Sequence, residues 1–147
     1  MLGLSQVTYI DQILVRFNMV DSKKGIVPFR VGISLSSNQH PKTQAEIERM
    51  REIPYASAIE SLMYAMLCTR PDICFVVVMV SRYQSDPGEE HWTTVKYIFK
   101  YLQRTRDYML VYHDKSLEPV GYTNSDFQSD IDCRKSILVL TLTSNQI

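Results

Sequence analysis

The chain has 147 residues, 45% of them apolar and 22% charged, a balance ordinary for a soluble globular domain with one modest core. Sixteen basic residues balance sixteen acidic ones, which excludes a nucleic-acid binder that works through net charge; any such contact must come from a local patch. The cysteines Cys68, Cys74 and Cys133 show no C-x-x-C spacing, so no disulfide framework or zinc site is indicated and an intracellular setting, cytoplasmic or nuclear, fits best. The longest apolar run, Ile73 to Val80, is far short of the roughly 20 residues a membrane helix needs, and no leader pattern follows Met1.

In chain order, an apolar start at Met1 to Leu4 precedes Ser5, a plausible N-cap, and the stripe Ile10, Ile13, Leu14 and Phe17 predicts an amphipathic helix. The stretch from Asp21 to Ile53 holds Gly25, Pro28, Gly32 and Pro41 with little sustained period. It reads as a long connector with one helical turn near Glu46 to Arg51. Pro54 suits a first helical turn, and Ile59, Leu62, Met63 and Met66 continue with helical spacing through Cys68. Thr69-Arg70-Pro71-Asp72 is a start signal for a third helix running to about Tyr83, apolar nearly all round and therefore buried. The valines at 76, 77 and 78 keep a buried strand open as the local alternative.

Ser85-Asp86-Pro87-Gly88 is a turn, and Glu89 and Glu90 open a fourth helix whose core face is Trp92, Val95, Ile98, Phe99 and Leu102. Beyond Arg106 the period becomes that of strands: Tyr108 to His113, Pro119 to Asn124 and Ser136 to Thr143. The expected fold class is α+β, a bundle of three to four helices followed by a short antiparallel β segment.

Lys96, Lys100 and Arg104 recur every four residues on the fourth helix and, with Arg106, form a basic stripe. That stripe suits phosphate contacts or, equally simply, a solvated face with Glu89 and Glu90 nearby. Asp126, Asp130 and Asp132 read as a solvated turn after a strand, since a calcium loop would need a central glycine. His40, His91 and His113 lie in three separate elements without ligand spacing, so no metal site is expected. Trp92, Met63, Met66 and Met79 read as core, and Cys68 and Cys74 as thiols in apolar surroundings.

The run from Tyr55 to Tyr112, with YASAIESLMYAMLCTRPDICFV and GEEHWTTVKYIFKYLQRTRDYMLVY, resembles the Pol polyprotein of copia-type LTR retrotransposons over nearly sixty consecutive residues. The likeness extends from Leu2-Gly3-Leu4-Ser5-Gln6 through Lys135-Ser136. It implies a division of the chain into a helix ending the polymerase region (1–20), a linker (21–53), a helical thumb- or connection-like part (54–106) and the truncated start of a ribonuclease H-like sheet (107–147). It implies magnesium in the parent family, and as partners an RNA/DNA hybrid held by the basic helix face and other parts of the polyprotein, with no membrane.

Polymerases of this kind hold two metal ions on clustered aspartates, and no adjacent Asp-Asp pair occurs in this chain. Gly121-Tyr122-Thr123-Asn124-Ser125-Asp126 resembles the first ribonuclease H strand of the family, written Gly-Tyr-Thr-Asp-Ser-Asp, but the ligand aspartate is replaced by Asn124. Asp126 is left as a weak catalytic candidate. After Arg134-Lys135-Ser136 the family's Thr-Ser-Gly-Tyr-Val-Phe gives way to Ile137-Leu138-Val139-Leu140. The expectation is a Pol fragment without activity of its own and without a cofactor; the alternative is a domesticated or decayed helical protein-interaction module.

Overall fold

A computed structural model describes residues 1–112, 120–125, 132 and 138–143. The fold class is α+β: the described residues hold five α-helices and two separate two-stranded antiparallel sheets. Strand β1 (Leu2–Ser5) leads directly into α1 (Val7–Arg16). Ser5 is therefore the last residue of a strand and not the expected helix cap; Gln6 takes the cap position, and its side-chain oxygen accepts from Thr69 Oγ1 at 2.5 Å instead of from the helix. The C-terminus of α1 closes in a Schellman arrangement. Met19 N–H bonds Leu14 O at 2.8 Å and Asn18 N–H bonds Val15 O at 3.2 Å, with Asn18 at φ 56°.

The core is built where α3 (Tyr55–Cys68), α4 (Cys74–Ser81) and α5 (Glu89–Arg104) meet α1. Ala58, Ile59, Leu62 and Ala65 line one face of α3, and Val95, Ile98, Phe99 and Leu102 line α5. Phe17 of α1 stacks on Phe99 at 5.1 Å, and Tyr55 OH donates to Val80 O across 2.7 Å. The valine-rich segment is helix, preceded by a 3₁₀ turn at Pro71–Ile73. Burial decides this: Val76, Val77 and Val80 each gain about 1.5 kcal/mol or more on leaving water, against a helix-propensity cost below about 0.7 kcal/mol per residue. Trp92, Met63, Met66 and Met79 are half-buried against the same core.

Two elements depart from the sequence reading. The connector holds a 3₁₀ turn at Ser37–Gln39 and a full helix α2 (Gln44–Arg51), where a single turn at 46–51 was expected. A capping box starts α2: Glu46 N–H bonds Thr43 Oγ1 at 3.3 Å, while Glu46 Oε2 accepts from the N–H of Lys42 and of Thr43. These two backbone donors hold the Glu46 carboxyl below its ordinary range. Strand β2 (Met109–Tyr112) pairs with β1, from Leu2↔Tyr112 to Ser5↔Met109, and not with the C-terminal strands. Four residues at the N-terminus are too few to show a period, and a ladder across more than a hundred residues leaves no local signal. Strands β3 (Val120–Ser125) and β4 (Leu138–Thr143) pair with each other, Val120 opposite Thr143 and Ser125 opposite Leu138. The expected strand ends His113, Pro119 and Ser136 lie outside the described residues.

The middle of the connector is strapped to the N-terminus of α5. Gly88 is the N-cap, and its N–H donates to Nδ1 of the buried His91 at 2.8 Å. Nε2 of His91 donates to Ser36 O at 3.0 Å, so the ring is neutral with its proton on Nε2. The imidazole stacks on Tyr83 at 4.1 Å, and Tyr83 OH donates to Leu35 O at 3.1 Å. Gln39 adds a 2.6 Å bond to Glu90, and a Cβ at Gly88 would fall 1.7 Å from Gln39 O, so only glycine admits this approach. Asp132, an exposed turn residue as expected, also reaches the same strap: its oxygens accept from Ser37 N–H at 2.8 Å and Ser37 Oγ at 2.9 Å.

Burial lowers the His91 pKa from 6.5, against the opposing Ser36 carbonyl and the carboxylates of Glu90, Asp132 and Asp86. The unfolded chain then takes the proton first. Stability contributed by the neutral ring is complete above about pH 6.5 and is lost as pH falls from there toward the folded value. Urea melts between pH 7.5 and pH 5 are expected to show this loss in the wild type and a flatter dependence in His91→Gln; equal slopes would remove His91 from the account.

Candidate nucleic-acid interface

Helix α5 carries the basic residues singled out from sequence. Lys96, Lys100 and Arg104 lie at successive i+4 positions and share a face, with Arg104 exposed and both lysines half-buried. Lys100 Nζ stands 5.1 Å from the Tyr97 ring, whose face supports the ammonium. No ion pair joins Lys96, Lys100 or Arg104 to a carboxylate among the described residues. Arg106 differs. It lies past the end of α5 and pairs with Asp11 at 3.0 Å and Asp107 at 3.6 Å, which withdraws it from the stripe.

The connector crosses this face as well. Gly25 N–H bonds Lys100 O at 3.0 Å, Ser22 Oγ donates to Gln103 Oε1 at 3.0 Å, and Gln103 Nε2 donates to Val20 O. Lys23 and Lys24, both exposed, are thereby carried to the turn of α5 that bears Lys100. Sequence spacing had no means of placing them there, because the pairing is between a loop and a helix some 75 residues on.

What fixes the far end of α5 is Arg70. Its side chain is 1% exposed and spends four donor contacts: Nε and Nη2 on the two oxygens of Asp72 at 3.0 and 2.8 Å, Nη1 on Thr105 O at 3.1 Å and Nη2 on Thr105 Oγ1 at 2.6 Å. The rings of Tyr101 and Tyr108 flank it at 5.5 and 5.7 Å. A guanidinium against the last carbonyls of α5 also opposes the negative end of the helix dipole. Burial alone would raise the Asp72 carboxyl, but hydrogen bonds from Arg70 and from Tyr101 OH, at 2.7 Å, together with the Arg70 charge, hold it below the usual range. Burial and the same carboxylate push the Tyr101 hydroxyl up to about 12.

Of the remaining candidates, Asp126, Asp130, His113 and Cys133 lie outside the described residues. Asn124 stands on β3 opposite Val139, and neither β3 nor β4 carries a carboxylate, so the residues of this hairpin do not fit a two-magnesium centre. His40 bonds Ser37 O, and His91 serves the strap. Among the described residues no three His, Cys, Asp or Glu side chains come together. Cys74 is half-buried and its thiol is pushed up by burial, whereas Cys68 is exposed, contrary to the expected apolar surroundings. No helix among the described residues is long and apolar enough to cross a membrane.

Arg70→Met deletes the buried half of an ion pair whose other half is about a third exposed. The expected cost is about 3 kcal/mol, the lower end for breaking a buried pair, read as a fall in the urea midpoint at pH 7. An unchanged midpoint would show that Arg70 does not hold α5 in place.

No protein-family model and no solved structure matches the chain. The retrovirus-related Pol polyprotein from transposon TNT 1-94 of Nicotiana tabacum is 45% identical over 135 residues, which are 92% of this chain and 10% of that protein. The retrovirus-related Pol polyprotein from transposon RE2 of Arabidopsis thaliana is 29% identical over 132 residues, 89% of this chain and 9% of its own length. The secreted RxLR effector protein 161 of Plasmopara viticola is 38% identical over 88 residues, 59% of this chain and 62% of the effector. With 45% identity sustained across nearly all of its length, the chain belongs to the Pol polyproteins of copia-type retrotransposons, as a segment spanning about a tenth of the polyproteins it matches.

Proposed function

We propose that this segment is the C-terminal helical part of the reverse-transcriptase region (1–20, 21–53 and 54–106) followed by the beginning of ribonuclease H (107–147), and that it grips the sugar-phosphate backbone of an RNA/DNA hybrid. The observation that carries this reading is the set of three cations, Lys96, Lys100 and Arg104, on one face of a helix held at both ends. Arg104 is exposed, the two lysines are half-buried, and none has a carboxylate partner among the described residues, so all three can release the counterions of a nucleic acid; that contact is sequence-independent and falls with salt. Arg106, tied to Asp11, stands at the margin of the contact.

Chemistry is supplied from elsewhere in the polyprotein, inside the cell, in cytoplasm or nucleus. The aspartate that the family pattern places after Gly-Tyr-Thr is Asn124 here, and a neutral amide neither compensates the charge of a divalent ion nor holds it firmly. Purified protein with magnesium or manganese is expected to extend no primer and cleave no hybrid. Turnover in either assay that disappears in Asp126→Asn would overturn this.

Binding is tested by fluorescence anisotropy with an RNA/DNA hybrid oligonucleotide across a salt series. Affinity should fall with salt, and Lys96→Ala/Lys100→Ala should lower the slope of log K against log salt by about two. Absence of binding at low and at high salt would sink the reading.

The effector relative favours a second reading, since a chain of this kind occurs there under a name that mentions no polymerase. In that reading the protein is a helical interaction module without enzymatic activity, and its contacts are made through the β1–β2 ribbon, which exposes Leu2 and Leu4 on one face and Met109 and Val111 on the other. An Asp-Asp hairpin encoded in frame upstream of Met1 would decide for the first reading and an intact promoter there for the second.

A further inference from the structure

We infer that the connector segment from Val20 to Gly25 is itself part of the phosphate-contacting surface, with Lys23 and Lys24 adding two charges to the Lys96, Lys100 and Arg104 face. The inference rests on the nucleic-acid reading of that face. Its basis is backbone geometry rather than sequence spacing. On one side of the lysine pair, Gln103 of α5 binds both Ser22 Oγ and Val20 O. On the other, Gly25 N–H bonds the carbonyl of Lys100 itself at 3.0 Å. Lys23 and Lys24 are thus bracketed by anchors to one turn of α5, and both are exposed.

Gly25 is what permits the approach. A Cβ there would lie 3.1 Å from Lys100 Cβ and 3.1 Å from Tyr101 N, and the second of these is backbone in a helix that cannot give way cheaply. Neither Lys23 nor Lys24 has a carboxylate partner among the described residues, and the one acid within residues 20–25 is Asp21. Five cations gathered along about two turns of one helix, in a chain whose formal charge is zero, concentrate positive potential at a single surface. The ligand class is a nucleic-acid backbone, read through phosphates and indifferent to base sequence.

The test compares the full chain with Lys23→Ala/Lys24→Ala, Lys96→Ala/Lys100→Ala and Gly25→Val, by anisotropy with the same RNA/DNA hybrid over a salt series, each variant first shown to melt like the wild type. The connector pair is expected to lower the salt slope by about two, as the helix pair does. Gly25→Val removes no charge but displaces the segment, and weaker binding of a still-folded variant would support the inference. If the helix pair lowers the slope and the connector pair leaves it unchanged, the connector is not in the interface while the reading of α5 stands. If the wild type does not bind at low salt, the reading and the inference fail together.

Discussion

The buried guanidinium of Arg70 is the contact on which the arrangement of helices depends. An isolated charge at 1% exposure would be prohibitively costly, and it is tolerated because nearly every donor has an acceptor in the direction the planar fork requires. Those acceptors come from two places far apart in sequence, the turn after α3 and the end of α5. Lysine, with three donors around a point charge, has no geometry that reaches the Asp72 oxygens and both Thr105 oxygens at once. The cluster therefore specifies where α5 stops and which way its basic face turns, and the same residues make that face rigid enough to serve as a surface.

At the opposite end of α5 a different chemistry does the corresponding task. His91 occupies the N3 position, where a capping box would carry Glu or Gln, and its ring nitrogen accepts from the N-cap N–H in their place. The second nitrogen remains available to hold Ser36 of the connector. One neutral imidazole so caps a helix and fastens a loop of irregular backbone, whose polar groups would otherwise have to face water. Segment 34–40 is ordered by these bonds rather than by any apolar pattern of its own.

Much of the helical part was legible. The spacings at Ile10–Phe17 and Val95–Leu102 reported faces that are buried, that at Ile59–Met66 reported a face whose methionines are half-buried, and the start signal at Pro71-Asp72 pointed to the helix that burial of the valines secures. Thr43-x-x-Glu46 was a capping signature in plain view, yet the polar stretch around it masked a short helix. The β1–β2 ladder was out of reach, being a partnership between Leu2–Ser5 and residues beyond 108. At the candidate site the i+4 cations were readable because a helix turns a sequence interval into a face. The ion pair of Arg106 was not readable, because its partner, Asp11, lies 95 residues away. Gly25 read only as one residue of the long connector, and its use as a contact point became evident only from Lys100.

The register of the small ribbon has a mechanical meaning. Leu2 faces Tyr112, so the polypeptide enters and leaves the helical body at the same end of two antiparallel strands. Tension applied through both flanks would load the ladder one hydrogen bond at a time, from the Leu2–Tyr112 rung inward, instead of shearing all of them together. A body closed by such a zipper opens under a small force and recloses when the force is released.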